Sequence, residues 1–252
     1  MDLDTYKQVI KKKEFSKLPK KDVERAFGLF EKREVSEREK IRLTREMLHK
    51  VFSSFTSQKI LSLKDKSPEW ILRKHLSTRE RLGFYEKLYS RLLKGFEGAS
   101  VFDFGAGING FSYSYFPKGI SYFGIEAMGQ LVELMNYYFK AQGLEGIAIH
   151  ESLFELEKVK KYLKQVRGKK ILFLFKVVDG LEMLERNYSK KLLEESVPLV
   201  NKVVFSFATK SMINQKRFRA KRDWILNFIK ERFKILDDFE LGSERYVVFK
   251  KK

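Results

Sequence analysis

The stretch Val101-Phe-Asp-Phe-Gly-Ala-Gly-Ile-Asn-Gly110, followed by Tyr122-Phe-Gly-Ile-Glu126, constrains this chain more than any other. Residues 100 to 103 read as a buried strand, and Gly105, Gly107 and Gly110 complete a G-x-G-x-x-G turn that predicts a helix opening near Phe111. Glycine there permits positive φ and lets backbone N–H groups approach a ligand with no Cβ in the way. Strand, glycine turn and helix together make a nucleotide cradle, and Glu126, one strand on, stands where an acid grips ribose hydroxyls. Both a dinucleotide and S-adenosylmethionine (SAM) satisfy that spacing. Asp103 favours SAM, because a carboxylate just before the first glycine repels a pyrophosphate and suits an amino-acid ammonium. A turn that merely packs a helix on a strand is the bland alternative, which the two acids weaken.

The turn lies in an α/β pattern. Apolar runs at 100–104, 121–125, 146–150, 170–175 and 202–207 each precede a helical stretch, which predicts a parallel, doubly wound sheet. Phe233 to Leu241 and Glu244 to Lys250, joined by Gly242-Ser243, leave no room for a crossover helix and predict a terminal antiparallel hairpin. The resulting seven strands match the Rossmann-like sheet of SAM methyltransferases, not the dinucleotide arrangement. Before the turn the chain reads as helices: 4–13, Lys20 to Lys32, and a long one from Ser36, which makes a capping box with Glu39 and buries Ile41, Leu48, Val51, Phe52 and Phe55. A loop from Thr56 to Lys66 leads to Ser67-Pro68, a helix start. A second capping box, Ser77 with Glu80, predicts one helix carrying Leu82, Tyr85, Leu88 and Leu92 inward, and Gly95 and Gly98 end the helical half.

Ligands of such sheets lie across the carboxyl ends of the strands. The third strand leads to Glu151, Ser152 and Leu153; Glu151 could accept from an adenine amino group, with Leu153 or Phe154 against the ring, or serve only as a helix-start acid. The fourth ends in Lys176-Val-Val-Asp179, without the Asn/Asp-Pro-Pro-Tyr pattern of adenine N6 methylases. After the fifth come Lys210, Lys216, Arg217, Arg219, Lys221 and Arg222, a cationic rim suited to phosphates, with Phe218 available for stacking. Lys11, Lys12, Lys13, Lys17, Lys20 and Lys21 form a second cluster, a further RNA contact. For both clusters the rival is a solvated surface. Lysine and arginine number 52 against 33 acids, net +19, and so large an excess of one sign points to a phosphate-rich partner. Absence of cysteine removes thiolate metal sites and thiol nucleophiles, and His49, His75 and His150 are too scattered for a metal cluster. No apolar run suits a membrane span or a signal peptide, which predicts a cytoplasmic protein, and no heptad seam appears, which predicts a monomer.

His75-Leu-Ser-Thr-Arg-Glu-Arg-Leu82, Val101-Phe-Asp-Phe-Gly-Ala-Gly-Ile-Asn109, Phe173-Leu-Phe-Lys176, Ser206-Phe-Ala-Thr-Lys-Ser211 and Leu241-Gly-Ser-Glu-Arg-Tyr246 resemble, in order, the aminoglycoside-resistance ribosomal RNA methyltransferases of the ArmA, Rmt and FmrO type. The resemblance implies SAM-dependent methylation of guanine N7 in 16S ribosomal RNA within the 30S subunit, with S-adenosylhomocysteine (SAH) as product. It implies an N-terminal helical docking domain, 1–75, before a methyltransferase domain, 76–252. Asp103, Gly105, Glu126 and Glu151 would hold the cofactor, with Ala106, Gly107, Ala127, Ser152 and Leu153 beside them and His75, Arg81 and Lys176 bordering it. Lys176, Lys210 and Ser211 would position the target. Ala208 stands where the family has proline, and Gln215-Lys-Arg-Phe-Arg219 is shorter and more basic than the family's loop. The alternatives are a non-catalytic RNA-binding or ribosome-assembly protein on the same fold, a methyltransferase for another rRNA nucleotide, and an NAD-dependent oxidoreductase.

Overall fold

The computed structural model describes residues 1–53, 66–209 and 222–252. Phe55, most of the Thr56 to Lys66 loop, and Lys210, Ser211, Lys216, Arg217, Phe218, Arg219 and Lys221 lie outside the described residues.

Helices α1 (Leu3–Ile10), α2 (Lys20–Gly28) and α3 (Glu37–Leu48) open the chain. Asp2 caps α1, and the Ser36 hydroxyl caps α3 by accepting from the Glu39 amide at 3.3 Å, one half of the predicted capping box, while the Glu39 carboxylate pairs with Arg42. The long helix does not continue through Val51 as predicted: at His49–Ser53 it widens into a π turn, which redirects Val51 and Phe52. Ser67 caps α4 (Pro68–Lys74).

The predicted Ser77–Glu80 box is a miss. His75, with extended backbone, is the N-cap of a short α5 (Leu76–Arg81), and the chain turns at Leu82–Phe84 before α6 (Tyr85–Leu93). Ser77 lies inside α5, where its hydroxyl accepts from Arg81 at 3.0 Å, and Glu80 pairs with Lys176; tertiary ionic partners outcompeted the local cap.

The sheet agrees with prediction in kind and order. Strands β1 (Ser100–Phe104), β2 (Ser121–Glu126), β3 (Gly146–His150), β4 (Lys170–Phe175) and β5 (Lys202–Ala208) run parallel. β6 (Phe233–Leu241) and β7 (Glu244–Lys251) form the antiparallel hairpin, and β7 inserts beside β5 in the order β3-β2-β1-β4-β5-β7-β6. Crossovers are α7 (Gly129–Gln142), α8 (Leu156–Gln165), α9 (Val178–Leu184) with α10 (Tyr188–Ser196), and α11 (Asp223–Arg232) before the hairpin. The helix predicted after the glycine turn is instead a 3-10 turn over Asn109–Tyr115.

Strand alternation divides the core. Val101, Phe173, Val204 and Tyr246 face the N-terminal helices, α6 and α7, while Phe102, Phe104, Leu172 and Phe205 face α8, α10 and α11. Asp103 shares the face of Val101, so its carboxylate emerges beneath α6 among buried tyrosines. Among the described residues no helix is long and apolar enough to cross a membrane.

Candidate active site

A cavity of about 440 Å³ opens where the carboxyl ends of the parallel strands meet the N-terminal helices. Gly105 and Gly107 turn the chain there with φ of +68° and +55°. A Cβ on Gly105 would stand 2.5 Å from a Val177 methyl, so conformation and space both exclude one there; at Gly107 the left-handed φ disfavours a side chain, and an added Cβ would lie 3.3 Å from His75 Nε2. Gly110 keeps ordinary φ; it is glycine because a Cβ would meet Phe139 at 2.7 Å and Met135 sulfur at 3.0 Å.

Glu126 closes the turn. Its Oε2 accepts from the Gly107 amide and its Oε1 from the Met128 amide, each at 2.8 Å. Burial raises its pKa, while these two amides pull the other way. Asp103 Oδ2 accepts from Asn109 Nδ2 and the Tyr122 hydroxyl, both at 2.8 Å, and burial pushes its carboxyl up to about 6. Tyr85 donates to Asn109 at 3.0 Å, so a tyrosine and amide network fixes the orientation of Asp103.

A dense ionic cluster forms the opposite wall. Arg81, 3% exposed, donates to both oxygens of Glu244, 2% exposed, at 2.9 and 3.0 Å. Lys176 pairs with Glu80 at 2.6 Å and Glu244 at 3.2 Å, and Ser206 donates to Glu244. β7 runs antiparallel to β5 with Glu244 opposite Ala208, which delivers this acid to the carboxyl ends of the parallel strands. The Arg81 and Lys176 charges hold Glu244 below the usual carboxylate range despite its burial. Burial, with Arg81 and Lys176 nearby, drives the His75 imidazole down to about 3, so it is neutral at ordinary pH. Lys176 adopts φ of +58°, a left-handed conformation costing about 1–2 kcal/mol for a residue with a Cβ. Strained backbone of this kind clusters at binding and catalytic sites.

Of the sequence-predicted residues, His75, Arg81, Asp103, Gly105, Ala106, Gly107, Glu126, Ala127, Leu153 and Lys176 line the cavity. Glu151 and Ser152 lie behind it: Glu151 pairs with Lys158 at 3.2 Å, and Ser152 donates to Asp22. Arg222, predicted on the cationic rim as an RNA contact, also lines the cavity but is buried: Asp179 takes its guanidinium and the Phe207 ring lies 5.1 Å beneath it. Lys11, Lys12 and Lys13 are exposed; Lys20 and Lys21, also exposed, pair with Glu24 and Glu155.

Three contributions escaped the sequence reading. Asp22 reaches the cavity from α2, and Lys50, Val51 and Phe52 reach it from the π turn. Asp22 carried a signal, a lone acid in helical register with the apolar Ala26. Glu244 stood inside one of the family-like motifs without a role.

No family model matches the chain, and no curated protein matches it. Solved structures do. The 16S rRNA methyltransferase RmtF, determined in complex with S-adenosyl-L-homocysteine, superposes with a TM-score of 0.81 at 16% identity over the full length of both chains. The 16S rRNA methylase RmtB superposes at 0.78 and 18% identity, covering 99% of this chain and 98% of that one. An rRNA methylase from Escherichia coli superposes at 0.79 and 19% identity, with 99% of each chain covered. What these likenesses establish is architecture: the chain has the seven-stranded, Rossmann-like methyltransferase fold with an N-terminal helical part, end to end as in those rRNA methylases.

Proposed function

We propose that the protein is a SAM-dependent methyltransferase acting on 16S ribosomal RNA of the 30S subunit, with guanine N7 as acceptor. The observation that carries this reading is the pair of buried carboxylates, Asp103 and Glu126, flanking a glycine turn at the mouth of one cavity on a methyltransferase sheet. Their chemistry fits the cofactor. Glu126 is pinned by two amides so that its remaining lone pairs can accept from ribose hydroxyls, and Asp103 supplies a negative charge for an ammonium where a pyrophosphate would be repelled. Arg81 and His75 bound the methionine side, and Leu153 and Phe154 offer apolar surface to the adenine. Glu151 serves the adenine edge only if it turns from Lys158. RmtF, similar over its whole length, is a 16S rRNA methyltransferase crystallised with SAH.

Bound SAM supplies a sulfonium methyl. Guanine N7 presents an in-plane lone pair and carries no proton, so the protein needs no general base; its task is to align donor and acceptor and exclude water. Lys176, paired with Glu80 and Glu244 at the cavity, would orient the base, with Lys210 and Ser211 as further target-side residues. Residues 1–75 act as the docking domain, presenting Lys11, Lys12, Lys13, Lys20 and Lys21 to phosphates, and a base within a helix is flipped out at a cost of a few kcal/mol that such contacts offset.

Methyl transfer from labelled SAM to 30S particles tests this reading, with the position read by cleavage at N7-methylguanine and primer extension. Labelling of 16S rRNA with an N7 stop is the expected result; labelling of protein alone, or none, contradicts it. A non-catalytic assembly factor on the same fold would retain its function in Glu126→Ala, whereas the enzyme loses activity.

A further inference from the structure

Asp22 is 1% exposed, lines the cavity, and comes from a helix otherwise placed as a docking element. α2 is fastened over the loop that follows β3. Asp22 accepts from the Ser152 hydroxyl at 2.5 Å, Lys21 pairs with Glu155, Arg25 pairs with Glu185, and the Arg25 guanidinium lies 4.4 Å over the Phe154 ring. Around Asp22 stand Arg25 of its own helix, Glu126 at the end of β2, Glu151 after β3 and Tyr188 of α10, while Lys50 of the π turn lines the same cavity.

Burial, with Glu126 and Glu151 adding to it, pushes the Asp22 carboxyl up to about 7; Ser152 and Arg25 pull the other way. Two carboxylates in one poorly hydrated cavity each disfavour the other's ionised form, and the one whose charge is less well stabilised takes a proton first. Glu126 has two backbone amides to stabilise its charge, and Asp22 has one hydroxyl. A nucleoside filling the cavity removes the remaining water and sharpens that difference.

We infer that Asp22 is a nucleoside-binding residue supplied by the N-terminal helices, entering the bound state as a neutral carboxylic acid that donates to the ligand while Glu126 accepts from it. The inference rests on the proposed cofactor reading. Binding then takes up a proton from solvent onto Asp22 wherever the free protein holds it ionised. Ligand affinity therefore falls as pH rises through 7, about tenfold between pH 6 and pH 8 from this group alone.

The test is calorimetric titration of the full chain with SAH at pH 6, 7 and 8, in buffers of different ionisation enthalpy, for wild type and Asp22→Asn. Asparagine imitates the neutral acid, so the variant should match wild type at pH 6, bind about tenfold tighter than wild type at pH 8, and take up about one proton fewer there. The amine of SAH and Asp103 titrate in both proteins and cancel in the comparison. Identical pH profiles and proton counts overturn the inference while leaving the cofactor reading intact; no SAH binding at any pH overturns both. Independently of any variant, adding SAH to wild type at pH 8 should raise a protonated-carboxyl band in the infrared difference spectrum, and its absence overturns the inference.

Discussion

At the scale of single residues, the buried charges have opposite effects on stability. Glu244 satisfies Arg81 bidentately, pairs with Lys176 and accepts from Ser206, so removing its charge leaves the Arg81 guanidinium uncompensated in a dry site, while Lys176 keeps Glu80. Glu244→Gln should lower unfolding free energy by about 3–5 kcal/mol, read as a reduced urea midpoint. Its folded pKa lies below the ordinary carboxyl value of 4.5, so this stabilisation is present above that pH and fades as pH falls through the folded value. Asp22 behaves in reverse. Its pKa rises from 3.8 unfolded to about 7 folded, so the folded state binds the extra proton between those values and stability falls as pH rises across them. Asp22→Asn should therefore stabilise the ligand-free protein at pH 8 by an amount on the order of 4 kcal/mol, fading toward pH 4. Equal midpoints for variant and wild type at pH 8 would contradict this.

At the scale of elements, the glycine turn does two separable jobs. Gly105→Ala places a Cβ against Val177 at a left-handed φ, whereas Gly110→Ala drives one into Phe139 and Met135 beneath an ordinary φ. The first should distort the cavity and weaken SAH binding. The second should mainly destabilise packing by about 1–3 kcal/mol, with affinity for SAH retained in the folded fraction. The strands were legible because their apolar runs are short, bounded and followed by helices, and the hairpin because Gly242-Ser243 leaves no crossover. Asp103, the glycines and Glu126 were legible because they follow one another along the chain. Glu244 and Asp22 were not: Asp22 reaches the cavity, and Glu244 the cations that line it, only through pairings distant in sequence, α2 over the β3 loop for one and β7 on β5 for the other. The Ser77–Glu80 pattern misled for a related reason, since Arg81 and Lys176 claimed both side chains. The π turn at His49–Ser53 left no mark in the hydrophobic spacing, which continues through it.

At the scale of the whole molecule, the proposed function divides a net charge of +19 and a cavity backed by carboxylates between two tasks: the surface would attract a polyanion, and the interior would hold a small cation-bearing ligand. Binding to 30S particles should weaken linearly in log affinity against log salt, and replacing the exposed Lys11, Lys12 and Lys13 by glutamine should flatten that slope by close to one for each phosphate no longer neutralised. A slope unchanged by the triple replacement would move the docking face elsewhere. The cofactor clasp is tested most directly by titration calorimetry with SAH on wild type and Glu126→Ala at pH 7. Wild type should give saturable heat at micromolar concentrations, and the folded variant should bind about 10- to 100-fold more weakly, the worth of a hydrogen bond to a charged acceptor. No heat from wild type, or undiminished affinity in Glu126→Ala, would contradict it.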